Sequence, residues 1–123
     1  MRFAKVRISA DASSRLRAIR QRTGMTPNLL CRIAVMLSLE QGPIGPGVPP
    51  DEDGQEFNAY TLTGEWHGMI AALLRFVEAE GADVPPDDDA LVAKLRGHIH
   101  RGVATLSVRA KSPGDVARLA VAA

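Results

Sequence analysis

The side chains best suited to binding an anion are the basic residues of the first quarter of the chain. Residues 1–32 contain eight Lys or Arg and one acid, Asp11. Five of the arginines lie within residues 15–32, with no acid among them. Such a positive surface binds a phosphate backbone, because each neutralised phosphate releases a counterion whatever the base sequence. The candidate nucleic-acid contacts are Lys5, Arg7, Arg15, Arg17, Arg20 and Arg22.

A protein partner is the alternative ligand for this basic surface. The net charge is only +1, because residues 33–93 contain twelve acids against Arg75 alone. Residues 94–123 return to six basic residues against Asp115. An acidic segment of a neighbouring chain or partner protein could therefore dock on the basic face.

The single cysteine, Cys31, could act as a nucleophile or a sulphur carrier. Both roles need an exposed thiolate that positive charge stabilises. Arg32 supplies a charge, but the surrounding Leu and Ile residues favour an inert cysteine in the core. We therefore predict no catalytic role for Cys31.

Histidines and acids in the second half could bind a metal ion. His98 and His100 are two residues apart and point in different directions on a helix, whereas metal pairs on helices lie three or four apart. The run 87–89, three Asp residues, could hold Mg²⁺ for phosphodiester cleavage, but helix capping explains it more simply. We predict no metal, no cofactor and no catalytic residue, and expect that the protein is not an enzyme.

The elements that position the basic residues begin with a short strand. Residues 3–8 alternate so that Lys5 and Arg7 share one face and Val6 and Ile8 the other. Ser9 or Asp11 can cap a helix that ends at Gly24. Its apolar stripe consists of Ala12, Leu16, Ile19 and Thr23, with Arg15 and Arg22 on one flank and Arg17 and Arg20 on the other.

A second helix begins at Thr26-Pro27, where threonine can cap and proline fits the first helical position. From 29 to 39 it is apolar around nearly its whole circumference, apart from Arg32, whose charge needs a partner. One small domain has little surface to cover such a helix, so we predict a homo-oligomer. The predicted interface residues are Leu29, Leu30, Ile33, Met36 and Leu37.

The order strand, helix, buried helix in residues 3–40 resembles ribbon-helix-helix DNA-binding proteins. In that arrangement the strands of two subunits pair, and outward side chains, here Lys5 and Arg7, enter a groove of DNA. The alternative interpretation is a basic edge strand whose charges prevent aggregation.

The rest of the chain predicts a loop and further helices within one domain, 1–123. Residues 41–64 form a loop rich in Pro and Gly, with a weak extended segment at Phe57, Ala59 and Leu62. Residues 65–123 are the C-terminal helices, in which Gly97 and Gly102 either end a helix or permit close approach. The predicted inward-facing residues are Trp66, Ile70, Leu73, Leu74, Val77, Leu91, Leu95, His98 or Ile99, Val103, Leu106, Val116, Leu119 and Ala120. The predicted fold class is mainly α, with one short N-terminal strand.

Four stretches together resemble the DndE family of DNA sulphur-modification proteins. They are Leu-Cys-Arg-Ile-Ala-Val-Met-Leu-Ser-Leu at 30–39, preceded by Arg-Thr-Gly at 22–24, the Pro-rich run 43–50, Gly-Glu-Trp at 64–66 leading into Ala-Leu-Leu, and His-Ile-His-Arg-Gly-Val at 98–103. The resemblance covers about residue 5 to 106.

This resemblance implies a small helical subunit that helps to replace a non-bridging phosphate oxygen of DNA by sulphur. It implies binding of double-stranded DNA as an oligomer, a tetramer. The sulphur chemistry would belong to partners, among them a cysteine desulfurase, an ATP-using iron–sulphur protein and an ATPase with coiled coils. The alternatives are a scaffold that joins these partners, a nicking endonuclease and a ribbon-helix-helix repressor.

The single cysteine forms no internal disulfide, and no apolar run follows the first residues. We therefore expect a cytoplasmic protein without a membrane span.

Overall fold

The computed structural model describes residues 1–80 and 82–122, with the side chains of 82–119 in the second range. The predictions for Gly81, as the start of a loop, and for the inward-facing Ala120 lie outside the described residues and side chains. Within these ranges the elements are β1 (Lys5–Arg7), α1 (Ala10–Thr23), α2 (Pro27–Glu40), β2 (Glu56–Asn58), α3 (Ala59–Thr63), a 3-10 turn (Gly64–Trp66), α4 (His67–Ala79), α5 (Asp88–Arg109) and α6 (Pro113–Ala122). The mainly α prediction is confirmed.

The caps read from the sequence set the boundaries of the helices. The side chains of Ser9, Thr26 and Asp87 accept from backbone N–H groups in the first turns of α1, α2 and α5. Gly24 ends α1 with φ of 73°, a conformation that glycine adopts without strain. These predictions are confirmed.

The two strands form an antiparallel ribbon in which Val6 lies opposite Phe57 and Arg7 opposite Glu56. The order strand, helix, helix is confirmed, but the partner of β1 comes from the same chain and not from a second subunit. On the other edge of β1, the Arg7 carbonyl accepts from Arg96 Nε of α5 at 2.8 Å. The ribbon therefore forms within one chain, with one face packed at the margin of its core.

The core lies between α1, α2, α4 and α5, with the ribbon and α6 at its margins. The long helix α5 is central, since Leu91, Leu95, Ile99, Val103 and Leu106 are all buried. Helix α2 packs so closely on α5 that a Cβ at Gly102 would overlap the Ala34 carbonyl oxygen. Gly102 therefore permits close approach and does not end the helix.

Two predicted placements are wrong. Residues 59–63 are helical and not extended, because Asn58 caps the first turn of α3. Trp66 is 48% exposed and not inward, because it lies on the short 3-10 turn before α4.

No helix among the described residues is long and apolar enough to cross a membrane.

Candidate nucleic-acid interface

Helix α1 buries one stripe and leaves its charged flanks in solvent. Ala12, Leu16 and Ile19 are at most 1% exposed. On one flank Arg17 and Arg20 are exposed, and neither forms an ion pair with any acid that the structure describes. This flank keeps its full positive charge, and we call it the open flank.

Arg15 and Arg22, on the other flank of α1, already have partners. Arg15 Nε lies 2.9 Å from Asp11 Oδ2, one turn earlier. Arg22 donates to the carbonyls of Ser107 and Ala110 at 3.1 and 3.2 Å, at the C-terminal end of α5. Cations at this end of a helix satisfy free carbonyls and interact favourably with the helix dipole, so Arg22 has a structural function.

Lys111 adds a cation beside Arg22 that sequence reasoning missed. Its Nζ donates to the Ser107 carbonyl at 3.1 Å, so it shares an acceptor with Arg22. The two residues are far apart in the chain, and only the packing of α1 on α5 brings them together. The return to basic residues after position 94 was the available signal.

The ribbon carries Lys5 and Arg7 on its solvent face, but an acid accompanies them. Lys5 Nζ lies 3.3 Å from Glu56 Oε1, and Arg7 Nη2 lies 3.2 Å from Glu56 Oε2. One carboxylate thus bridges both cations. Arg17 and Arg20 therefore differ from the other four predicted nucleic-acid contacts, because those four have ion-pair or carbonyl partners among the described residues.

Helix α2 presents an apolar face outside the core. Among the predicted interface residues, Leu29 is 40% exposed, Ile33, Met36 and Leu37 are half-buried, and Leu30 is fully buried. Leu30 therefore packs inside its own chain and is not available to a partner. The other four line a groove of about 760 Å³, which Trp66, Met69 and residues of α6 complete.

Arg32 on α2 has main-chain partners. Its guanidinium donates to the carbonyls of Leu62 and Thr61 at 2.8 and 2.9 Å. These carbonyls lie in the last turn of α3, where four carbonyls of a helix lack internal partners. Arg32 therefore joins α2 to α3, which explains a charge within an apolar helix.

Cys31 is fully buried, and burial raises the pKa of its thiol to about 12. The thiolate that a nucleophile or sulphur carrier needs is therefore disfavoured.

A buried polar network joins α2, α4 and α5. His98 Nδ1 lies 2.8 Å from Ser38 Oγ, and His98 Nε2 lies 3.1 Å from Glu78 Oε2. Arg101 Nε donates to Ser38 Oγ at 2.8 Å, so the Ser38 hydroxyl proton is free to bond His98 Nδ1. Neutral His98 then donates from Nε2 to the Glu78 carboxylate, and every group has a partner.

This hydroxyl, imidazole and carboxylate form a series found in hydrolases, but Ser38, His98 and Glu78 are at most 3% exposed. A substrate cannot reach them. Burial, aided by the charges of Arg101 and Lys94, lowers the pKa of His98 against the opposing effect of Glu78. Sequence reasoning missed Glu78, although its spacing after Ile70 and Leu74 places it on the buried face of α4.

The network also holds the start of the loop that follows α2. Glu78 Oε2 accepts from the Ile44 N–H at 3.0 Å, and Arg101 Nη1 donates to the Pro43 carbonyl at 3.3 Å. His100 points elsewhere, with Nδ1 2.6 Å from the hydroxyl of Ser9. The part of the chain that the structure describes contains no group of three or more His, Cys, Asp or Glu placed to hold a metal ion.

The fold and surface define a small, mainly helical protein with a two-stranded ribbon, a cationic first helix and an apolar groove. The family model described as DNA sulphur modification protein DndE matches residues 5–113, and the chain belongs to the DndE family. The family resemblance read from the sequence is confirmed. None of the curated proteins compared with the chain matches it.

Two solved structures share the fold. The crystal structure of DndE from Escherichia coli B7A, involved in DNA phosphorothioation modification, is 23% identical, with a TM-score of 0.74 and coverage of 86% of this chain and 98% of that one. A DndE G21/24K mutant involved in DNA phosphorothioation is 21% identical, with a TM-score of 0.71 and coverage of 86% and 99%.

Proposed function

We propose that this chain is a DNA-binding accessory subunit of the DNA phosphorothioate modification machinery and is not itself an enzyme. The observation that carries the proposal is the open flank of α1. Arg17 and Arg20 face solvent without a described acidic partner, on a helix whose opposite side is fixed in the core. Fixed cations of this kind bind phosphates of duplex DNA, intact or nicked, with little dependence on base sequence.

The partners in this proposal supply the chemistry. We infer that an ATP-using iron–sulphur protein and an ATPase with coiled coils act with this subunit in the cytoplasm. The buried thiol of Cys31 and the inaccessible His98 support a role in binding, because neither can reach a substrate.

We also infer that the apolar groove is covered by a second copy of this chain within a homo-oligomer, a tetramer. The groove has Arg32 and Glu40 among its lining residues, separated by about two turns of α2. A twofold axis across α2 would set Arg32 of one copy near Glu40 of the other, so the surface is complementary to itself. Covering it would also remove Leu29, Met36 and Leu37 from water.

A protein-interaction scaffold is the second candidate function, because the same groove could take a helix of a partner and Glu56 already neutralises the ribbon. A nicking endonuclease or a ribbon-helix-helix repressor has less support. The strands pair within one chain, and the described residues form no metal cluster.

Binding of the purified chain to duplexes of unrelated sequence, measured by fluorescence anisotropy from 50 to 200 mM salt, tests the proposed function. We expect similar affinities for all sequences, and a binding constant that falls linearly on a log–log plot against salt. The same duplexes with a single nick would show whether nicked DNA is preferred. Absence of binding at 50 mM salt would favour the scaffold.

A further inference from the structure

The solvent face of the ribbon combines two cations and one acid in a fixed arrangement. Lys5 and Arg7 are 65% and 54% exposed, and Glu56 is 36% exposed. The strand register sets Glu56 directly opposite Arg7, while the buried pair Val6 and Phe57 fixes the ribbon against the core. The arrangement therefore does not depend on flexible chain segments.

Each oxygen of Glu56 contacts a different cation. Oε1 lies 3.3 Å from Lys5 Nζ, and Oε2 lies 3.2 Å from Arg7 Nη2. Arg7 Nη1 also donates to the Gly54 carbonyl at 3.2 Å, which orients the guanidinium. Two cations that share one pair of anionic oxygens provide the geometry that a phosphate diester would use.

We propose that Lys5 and Arg7 form a latent phosphate site and that Glu56 competes with DNA for it. The inference rests on the proposed function, because the competing ligand is a DNA phosphate. The carboxylate of Glu56 occupies the position that phosphate oxygens would take. A phosphate that displaces this carboxylate remains close to the negative charge of Glu56, which weakens its binding. The open flank of α1 has no such competitor among the described residues, so DNA contacts that flank first.

The competition can be reversed because the ion pairs are exposed to solvent. Ion pairs at such exposure contribute little to stability and exchange readily with other ligands. Removing the carboxylate should therefore leave the ribbon folded and release both cations. Glu56→Gln makes this change while it keeps the size and shape of the side chain.

Duplex binding of Glu56→Gln, measured by anisotropy from 50 to 200 mM salt, tests the proposal. Two further phosphate contacts should steepen the log–log salt slope by about 1.8. The variant should therefore bind DNA more tightly than wild type at 50 mM salt, and the ratio of the two binding constants should fall roughly twelvefold by 200 mM. The matched control is Glu65→Gln, which removes one charge from an exposed Glu with no ion pair to any described residue. The control should keep the wild-type slope.

The double substitution Lys5→Gln/Arg7→Gln identifies where the added contacts form. In the Glu56→Gln background it should abolish the gain in affinity and the steeper slope, and its loss of affinity there should exceed its loss in the wild-type background, where Glu56 already opposes phosphate binding at this site. A Glu56→Gln slope equal to that of wild type, or an equal gain from Glu65→Gln, would overturn the proposal. So would an equal loss from the double substitution in both backgrounds. Failure of wild type and all variants to bind duplex DNA would instead refute the proposed function itself.

Discussion

Helices α1 and α2 follow one another, contain 14 residues each and begin with a hydroxyl cap, yet their outer faces differ. The outer face of α1 carries arginines, with Arg17 and Arg20 free of described acids. That of α2 carries Leu29, Met36 and Leu37, which line a groove. The inner faces build one core, whereas the outer faces suit different ligands, a polyanion for α1 and an apolar surface for α2. The inner faces of the two helices therefore stabilise the chain, whereas their outer faces remain available to partners.

The largest effect is expected where the inner face of α2 meets α5. Gly102→Ala should lower the free energy of unfolding by about 3 kcal/mol, because the new Cβ would overlap the Ala34 carbonyl and the backbones would have to separate. Denaturant unfolding measures this change. Gly68→Ala, on α4 with no atom within 4 Å of the new Cβ, is the control and should be neutral or slightly stabilising. Equal effects at the two glycines would mean that α2 and α5 are not in close contact.

The outer face of α2 is tested by Leu37→Glu. A charge in the groove should weaken self-association by about 2 kcal/mol, or roughly 30-fold, because the carboxylate would lose water at an apolar interface. Sedimentation velocity at micromolar concentration reports the change. Val108→Glu, at a site 69% exposed and outside the groove, should leave the assembly unaltered. A wild-type protein that sediments as a monomer would contradict the proposed oligomer.

A change of pH should have a smaller effect on the free energy of unfolding. The group responsible is His98, which contacts Ser38 of α2. Burial holds the pKa of His98 below its ordinary value of 6.5 in the folded chain. The unfolded chain therefore binds this proton more readily, and the free energy of unfolding should fall as the pH drops below 6.5. His98→Gln should reduce that dependence, as measured by urea unfolding at pH 7.5 and 5.5. An identical pH dependence in the variant would show that His98 is not held neutral.

Local rules were sufficient to predict much of this fold. The caps at Ser9 and Thr26 and the end of α1 at Gly24 depend only on neighbouring residues, and they could be read from the sequence. The error at 59–63 involved a distant contact as well as the local cap at Asn58, because Arg32 of α2 binds two carbonyls in the last turn of α3. Local periodicity carries no information about such a contact.

The candidate site shows the same limit. Exposure of Arg17 and Arg20 follows from their spacing relative to Leu16 and Ile19, so their flank could be predicted. The pairing of Lys5 and Arg7 with Glu56 depends on a strand register between residues about 50 positions apart, which a single sequence does not reveal. Trp66 was misplaced for a related reason, since an apolar residue that lines a groove has the same pattern as one in a core.

Binding of duplex DNA by Arg17→Gln/Arg20→Gln tests the central claim most directly. Both side chains are exposed, so circular dichroism and sedimentation should match wild type. We expect weaker binding to every sequence and a log–log salt slope that is shallower by about 1.8, since two phosphate contacts are lost. A folded double variant with the wild-type affinity and slope would contradict the claim that this flank of α1 binds DNA, and would favour a protein partner.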